Sequence, residues 1–235
     1  YPTIESLYDT LSLQTSPVET AAIILEPIQG EYGIFELDPI FVREVRDLCT
    51  EHNMIMIADE IQCGMGRTGK WWASERNNIV PDILNFGKGL GSGHQIAGMV
   101  SRDEIMDSGR NYLGGTYNGN AISSAAASAT IDVFKNEKLL DNVTNMGNYM
   151  NQRFTDTLVR QGMITDFRQY GLMIALELNT REIEPSASKS EATSNFVQNL
   201  RANSVLVLTA GNYNQYIRLL PPLNVSKEEI DTFIN

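Results

Sequence analysis

Residues 21–60 read "AAIILEPIQGEYGIFELDPIFVREVRDLCTEHNMIMIADE", and this stretch decides the fold. Its first part, "AAIILEP" (21–27), is a short apolar run stopped by Pro27, the pattern of a buried strand with Glu26 at its carboxyl end. "DPIFVREVRDLCTEHN" (38–53) then supplies a helix: Asp38 suits the N-cap, Pro39 the first helical position, and apolar residues recur at helical spacing. "MIMIADE" (54–60) is a second apolar run, ending in Asp59 and Glu60. Strand, helix and strand in this order predict a right-handed parallel crossover.

Working outward, "DILNF" (82–86) and "QIAGMVS" (95–101) extend the same sheet, giving an α/β fold whose near-continuous apolar strands carry helices on both faces. Open sheets of this kind bind ligands at the carboxyl ends of their strands. Glu26, Asp59 and Lys88 all fall at predicted strand ends. From Asn120 the pattern changes to two long helical stretches, "AISSAAASATIDVFKN" (121–136) and "EKLLDNVTNMGNYMNQRFTDTLVRQ" (137–161). After them come the strand-like "GLMIALELN", a polar stretch, a helix near "NFVQNLRAN", and the strands "VLVLT" and "YIRLLPP". The expected division is part of a large domain over residues 1–137, connecting helix included, and a smaller α+β domain over 138–235.

The bulk properties narrow the function classes. A net charge of −11 over 235 residues argues against a nucleic-acid partner, which requires clustered Lys and Arg. No apolar run approaches the roughly 18 residues of a membrane helix, so no membrane partner is expected and the chain reads as soluble, in the cytoplasm or an organelle matrix. Cys49 and Cys63 suit a reducing compartment, with Cys49 in the helix as core packing. His52 and His94 have no partner at metal-ligand spacing, and no metal is expected.

Lys88 stands in "PDILNFGKGLGSGHQIAGMVS" (81–101). A phosphate-binding loop of the Walker type needs a glycine where Asp82 stands and Ser or Thr where Gly89 stands. A dinucleotide fingerprint would have to open a first βαβ unit, and "GKGLGSG" lies too far along the chain. What remains is a lysine on permissive backbone beside a strand, compatible with a nucleophilic amine. A carboxylate at a buried strand end, Asp59, needs a cationic partner, and a protonated pyridine nitrogen would be one.

Five segments in order, "LEPIQGEYG", "ADEIQCGMGRTGKWWASE", "PDILNFGKGLGSG", "GGTYNGN" and "IRLLPPLNVSKEEID", resemble those of class III aminotransferases, the ornithine, acetylornithine and 4-aminobutyrate aminotransferase group. The resemblance spans nearly the whole chain and implies a fold type I transferase dependent on pyridoxal 5'-phosphate. It implies that Lys88 carries the cofactor as a Schiff base, that Asp59 faces the pyridine nitrogen, and that Gln62 contacts the phenolic oxygen. Thr116 would reach the cofactor phosphate of the neighbouring subunit, making a homodimer with a shared active site. Arg218 would bind a substrate carboxylate, with Glu31 as the switch that pairs with it and swings aside, and Glu26 would sit near the cofactor. Tyr32 stands where the family often has a small residue and would narrow the substrate pocket.

The implied reaction is transamination of an amine or ω-amino acid, with glutamate and 2-oxoglutarate as the second pair. The resemblance also implies that the chain is the C-terminal part of the family's full length, so the phosphate loop and the ring-stacking aromatic lie outside it. Two other readings stand beside the first: another fold type I enzyme, such as a decarboxylase or aminomutase, or a truncated homologue without catalysis. Each residue also has a bland reading. Lys88 would be a solvated loop lysine, Asp59 a cap, Arg218 a structural ion-pair partner, Thr116 the cap of "NGNAISS", and Arg67 and Lys70 solvated charges.

Overall fold

A computed structural model describes residues 2–109, 112 and 114–234. These form two compact units. One comprises the residues up to Ile28, Glu36–Met65 and Trp72–Glu137; the other comprises Gln29–Phe35, Gly66–Trp71 and the chain from Lys138 onward. The sequence reading divides the chain once, after residue 137. In the structure the two short excursions at 29–35 and 66–71 also belong to the second unit, through contacts far apart in sequence.

The first unit opens with α1 (Ile4–Leu13), capped by Thr3, and β1 (Ala22–Leu25). The short strands β2 (Ile28–Gln29) and β3 (Phe35–Glu36) stand where the chain leaves this unit for the 29–35 excursion and returns to it. In α2 (Pro39–Glu51) the Asp38 carboxylate accepts the Ile40 N–H at 2.8 Å, and Pro39 occupies the first turn, where its missing N–H costs nothing. Then come β4 (Ile55–Asp59), β5 (Ile83–Phe86), β6 (Gly98–Ser101), α3 (Asp103–Ser108) and α4 (Ala121–Asn136). The sheet order is β1-β4-β5-β6, with β1, β4 and β5 parallel and β6 antiparallel at the edge.

One face of this sheet carries the core. Val42, Val45, Leu48 and Cys49 of α2 meet Met54 and Met56, and Val42, Val45 and Met56 are fully buried, each worth roughly 1.5–3 kcal/mol relative to exposure. The other face is more open. β1, read from sequence as a buried strand, alternates exposed and half-buried residues, and Ile24 is 60% exposed. An apolar run gives the composition of a strand but not the cover on each side, which depends on elements distant in sequence.

The second unit is α5 (Leu139–Phe154), β7 (Ile164–Tyr170), β8 (Met173–Leu178), α6 (Thr180–Ile183), α7 (Lys189–Ala202), β9 (Leu208–Ala210), β10 (Tyr216–Leu219) and α8 (Lys227–Ile234). Its sheet is antiparallel throughout, in the order β7-β8-β10-β9. Phe154, Leu172, Ile174 and Ile217 anchor its core with α5 and α8. The strand β7 has no counterpart in the sequence reading, because Asp166, Arg168 and Gln169 interrupt any apolar run. Helix α5 also stops earlier than its pattern suggests, passing into a π turn at Thr155–Val159.

Within this unit Arg67 is not the solvated charge expected of it. It donates to the carbonyls of Leu172 and Pro221, and the Leu172 N–H returns a bond to the Arg67 carbonyl at 3.0 Å. Burial lowers its pKa, while the two acceptors stabilise the charged guanidinium. Gly171 permits this approach: at φ +60 its added Cβ would lie 2.7 Å from the Thr68 carbonyl carbon.

Candidate active site

In the first unit the parallel strands bring three sequence-predicted residues to one edge. Glu26 follows β1, Asp59 ends β4, and Lys88 follows β5. The register pairs Leu25 with Ala58 and Asp59 with Asn85, so the three carboxyl ends run side by side. The Glu60 N–H also donates to the Asn85 carbonyl at 3.0 Å, carrying the pairing one residue past β4. Glu26 and Gln62 are half-buried beside this edge.

Lys88 is the most unusual residue of the edge. Its φ is +38, in the left-handed region that costs an L-residue roughly 1–2 kcal/mol. The turn holds because the Leu90 N–H bonds the Gly87 carbonyl at 3.0 Å, while Leu90 and Gly91 are buried. The side chain is exposed and lines an open cavity of about 530 Å³ with Gly93, His94, Gln95, Ile96 and Ala97. Asp59 is half-buried, and its Oδ1 accepts the Ile61 N–H at 3.1 Å, which orients the carboxylate. A reachable amine and an oriented carboxylate on adjacent strand ends are the donor set that a pyridine aldehyde needs, so these residues fit pyridoxal phosphate.

Two carboxylates that sequence reasoning did not single out support this edge. Glu60 is fully buried, accepting the Ser74 N–H at 2.8 Å, the Ala73 N–H and the Ser74 hydroxyl. Burial raises its pKa, and the donors of the short helical turn Ala73–Asn77 oppose that rise. Glu60 thereby fixes the start of the turn that carries Gln62. Asp82, just before β5, accepts the Met56 N–H at 2.8 Å and pairs with Arg46 at 2.8 Å and Arg102 at 3.1 Å. Burial opposes its charge, but these partners together hold its pKa below the ordinary value. The signal for both was an acid beside an apolar run, with no local partner to give it meaning.

Thr116 lies exposed in a turn that precedes α4. The cap of α4 is Asn120, whose Oδ1 accepts the N–H groups of Ile122 at 3.0 Å and Ser123 at 3.1 Å. The capping reading of Thr116 is thereby corrected. Cys63 is fully buried, and burial with the nearby Glu60 charge pushes its thiol pKa well up, which leaves it inert.

In the second unit Arg218 sits on β10, only 7% exposed, with Nη1 bonded to the Glu31 carboxylate. The partners are unequal, since the Glu31 side chain is 68% exposed. A buried cation with a mostly exposed counter-ion is a pair that another carboxylate can enter. Tyr32 is 42% exposed, and its ring lies 5.5 Å from that of Phe35.

The family model for class-III aminotransferases matches residues 3–235. The chain belongs to this family. It is 34% identical over 228 residues to the 4-aminobutyrate aminotransferase GabT of Escherichia coli (strain K12), covering 97% of this chain and 53% of that protein. It is 37% identical over 223 residues to the alanine/serine racemase of Pyrococcus horikoshii, covering 94% of this chain and 46% of that one. Among solved structures, the ornithine aminotransferase of Toxoplasma gondii, with PLP partially occupying its active site, superposes with a TM-score of 0.85 at 29% identity, covering 100% of this chain and 53% of that one. The chain thus spans about half the length of the class-III relatives it matches. Among the described residues no helix is long and apolar enough to cross a membrane.

Proposed function

We propose that this chain carries the lysine, the ring-nitrogen partner and the carboxylate-binding arginine of a pyridoxal phosphate-dependent aminotransferase. Its substrate is an ω-amino acid, with glutamate and 2-oxoglutarate as the second pair. The observation that carries this reading is Lys88 itself: an exposed amine held in a strained left-handed conformation at a strand end, next to the strand that ends in Asp59. Strain persists where the surrounding structure imposes it, and it gathers at functional sites.

The cofactor, when bound, supplies an aldehyde that condenses with amines and a ring that accepts the electron pair released when a carbon–hydrogen bond breaks. Lys88 Nζ would hold the cofactor and would move the proton at the amine-bearing carbon of the substrate. The Asp59 carboxylate would face the pyridine nitrogen and favour its protonated form. Gln62 would contact the phenolic oxygen, and Glu26 borders the same edge. Thr116 serves the phosphate of a second copy of the protein in a homodimer. Arg218 binds a substrate carboxylate through a planar pair of N–H donors, and Glu31 covers Arg218 until that carboxylate arrives.

The test is borohydride reduction of the protein with added pyridoxal phosphate, followed by mass spectrometry of its peptides. A reduced adduct on Lys88 is expected, and an adduct confined to other lysines overturns the assignment. The similarity to the alanine/serine racemase supports a second reading, in which the same amine-bearing carbon regains a proton on the opposite face and no amine is transferred. Amine transfer to 2-oxoglutarate favours the first; loss of optical activity without transfer favours the second.

A further inference from the structure

The turn that carries Glu31 is tied down by a residue on another strand. Arg168 on β7 and Arg218 on β10 both pair with Ala175 of β8, so the two arginines stand in one row on the same sheet face, about 10 Å apart with a small residue between them. The Arg168 side chain is 13% exposed. Its Nε donates to the Gly33 carbonyl at 3.0 Å, and its Nη1 pairs with Asp166. Its guanidinium carbon lies 3.8 Å from the Phe35 ring centre and 4.3 Å from that of Tyr216, and the two rings meet edge to face at 5.8 Å. Such stacking holds a planar cation in one orientation.

The backbone around Glu31 is fixed on both sides of Tyr32. The Glu31 carbonyl accepts the Gly211 N–H at 2.9 Å, and the Gly33 carbonyl accepts from Arg168. Gly33, at φ +122, has no alternative residue: a Cβ there would come within 2.5 Å of the Tyr216 ring. By contrast, the Glu31 side chain is mostly in solvent, and an ion pair with an exposed partner is weak unless its backbone is held in place.

We propose that Arg168 is a positioning residue for Glu31: by clamping the 31–35 turn it keeps the Glu31 carboxylate over Arg218, and so sets how readily a substrate carboxylate takes Arg218. The proposal rests on the reading of Arg218 as the carboxylate site and Glu31 as its cover. It makes Arg168 a determinant of selectivity between substrates that present a carboxylate to Arg218 and substrates that do not. Removing a cation near an anion site by itself weakens anion binding, so this proposal predicts an effect of opposite sign to simple electrostatics.

The experiment is calorimetric titration of glutarate, a dicarboxylate that cannot react, into the full chain and into Glu31→Gln, Arg168→Met and the double variant. Glu31→Gln is expected to tighten binding about tenfold and Arg168→Met about fivefold, the scale of one lost hydrogen bond. The double variant is expected to bind no more tightly than Glu31→Gln alone, the non-additivity of groups acting through one another. Arg168→Lys, which keeps the charge over the rings but lacks the Nε–H that meets Gly33, is expected to tighten binding in the same direction and carries the test if the Met variant does not fold. Unchanged or weaker binding in the Arg168 variants beside tighter binding in Glu31→Gln overturns the proposal, as does a fully additive double variant. No effect of Glu31→Gln overturns the cover reading on which the proposal stands.

Discussion

The two units place the charged side chains proposed for the site in opposite ways. The first puts Lys88 and Asp59 at the ends of parallel strands, where one is exposed on strained backbone and the other half-buried. The second puts Arg218 inside an antiparallel strand, buried and already paired. Parallel strands share one carboxyl edge, so loops converge there and can present reactive groups. An antiparallel sheet has no such common edge, and Arg218 projects from a face. In the proposed reading the amine needs reach, whereas the carboxylate receptor needs a dry, fixed cation with a counter-ion that can leave.

The largest effect is expected of Lys88→Ala. It is expected to lower transamination by about 10³-fold or more with little change in thermal stability, because an exposed side chain packs nothing. Steady-state turnover beside a melting curve checks it, and near-normal turnover would remove the first unit from the chemistry.

Next comes Asp82→Asn, expected to cost about 3 kcal/mol in urea unfolding, since it leaves Arg46 against a buried neutral group. The same residue gives a pH signature. Its pKa is depressed in the folded state, so its contribution is present above the unfolded value of 3.8 and is lost as pH falls through the folded value. Stability of the parent should therefore fall below pH 3.8 more steeply than that of the variant.

Arg218→Lys tests the second unit in the same terms. It is expected to raise KM for carboxylate substrates about 100-fold while sparing the capture of pyridoxal phosphate by Lys88, because a point charge replaces a bidentate donor. Loss of cofactor capture instead would mean that Arg218 serves the fold and not the substrate.

The smallest effect sharpens the strain argument. Lys88→Gly should stabilise the chain by about 1 kcal/mol relative to Lys88→Ala, because glycine adopts the left-handed conformation without cost. Equal stability of the two variants in denaturant would show that the backbone there is not strained.

Much of the fold was legible because its signals are local. Asp38 and Pro39 announce α2, and apolar runs announce β4 and β5, since capping and periodicity act over a few residues. β7 was not legible: Asp166 pairs with Arg168, and Arg168 in turn meets Gly33, Phe35 and Tyr216, all supplied from elsewhere in the chain. β1 was read with the wrong burial for a related reason, as its composition says strand while its cover is a property of neighbours.

Local signals along the chain were enough for the strand–helix–strand crossover and the family, and they named the residues proposed for the site, Lys88, Asp59, Gln62, Thr116, Glu26, Glu31 and Arg218. The folded chain was needed to see that Lys88 is strained and exposed, that Glu60 and Asp82 are structural anchors, and that Arg168 reaches across to the turn of Glu31. The physical reason is range. Caps, turns and apolar periodicity are interactions between near neighbours and are written in order along the chain. Burial and pairing of charge depend on residues from 13 positions away, as for Glu60 and Ala73, to 187, as for Glu31 and Arg218, and those distances close only in the folded chain.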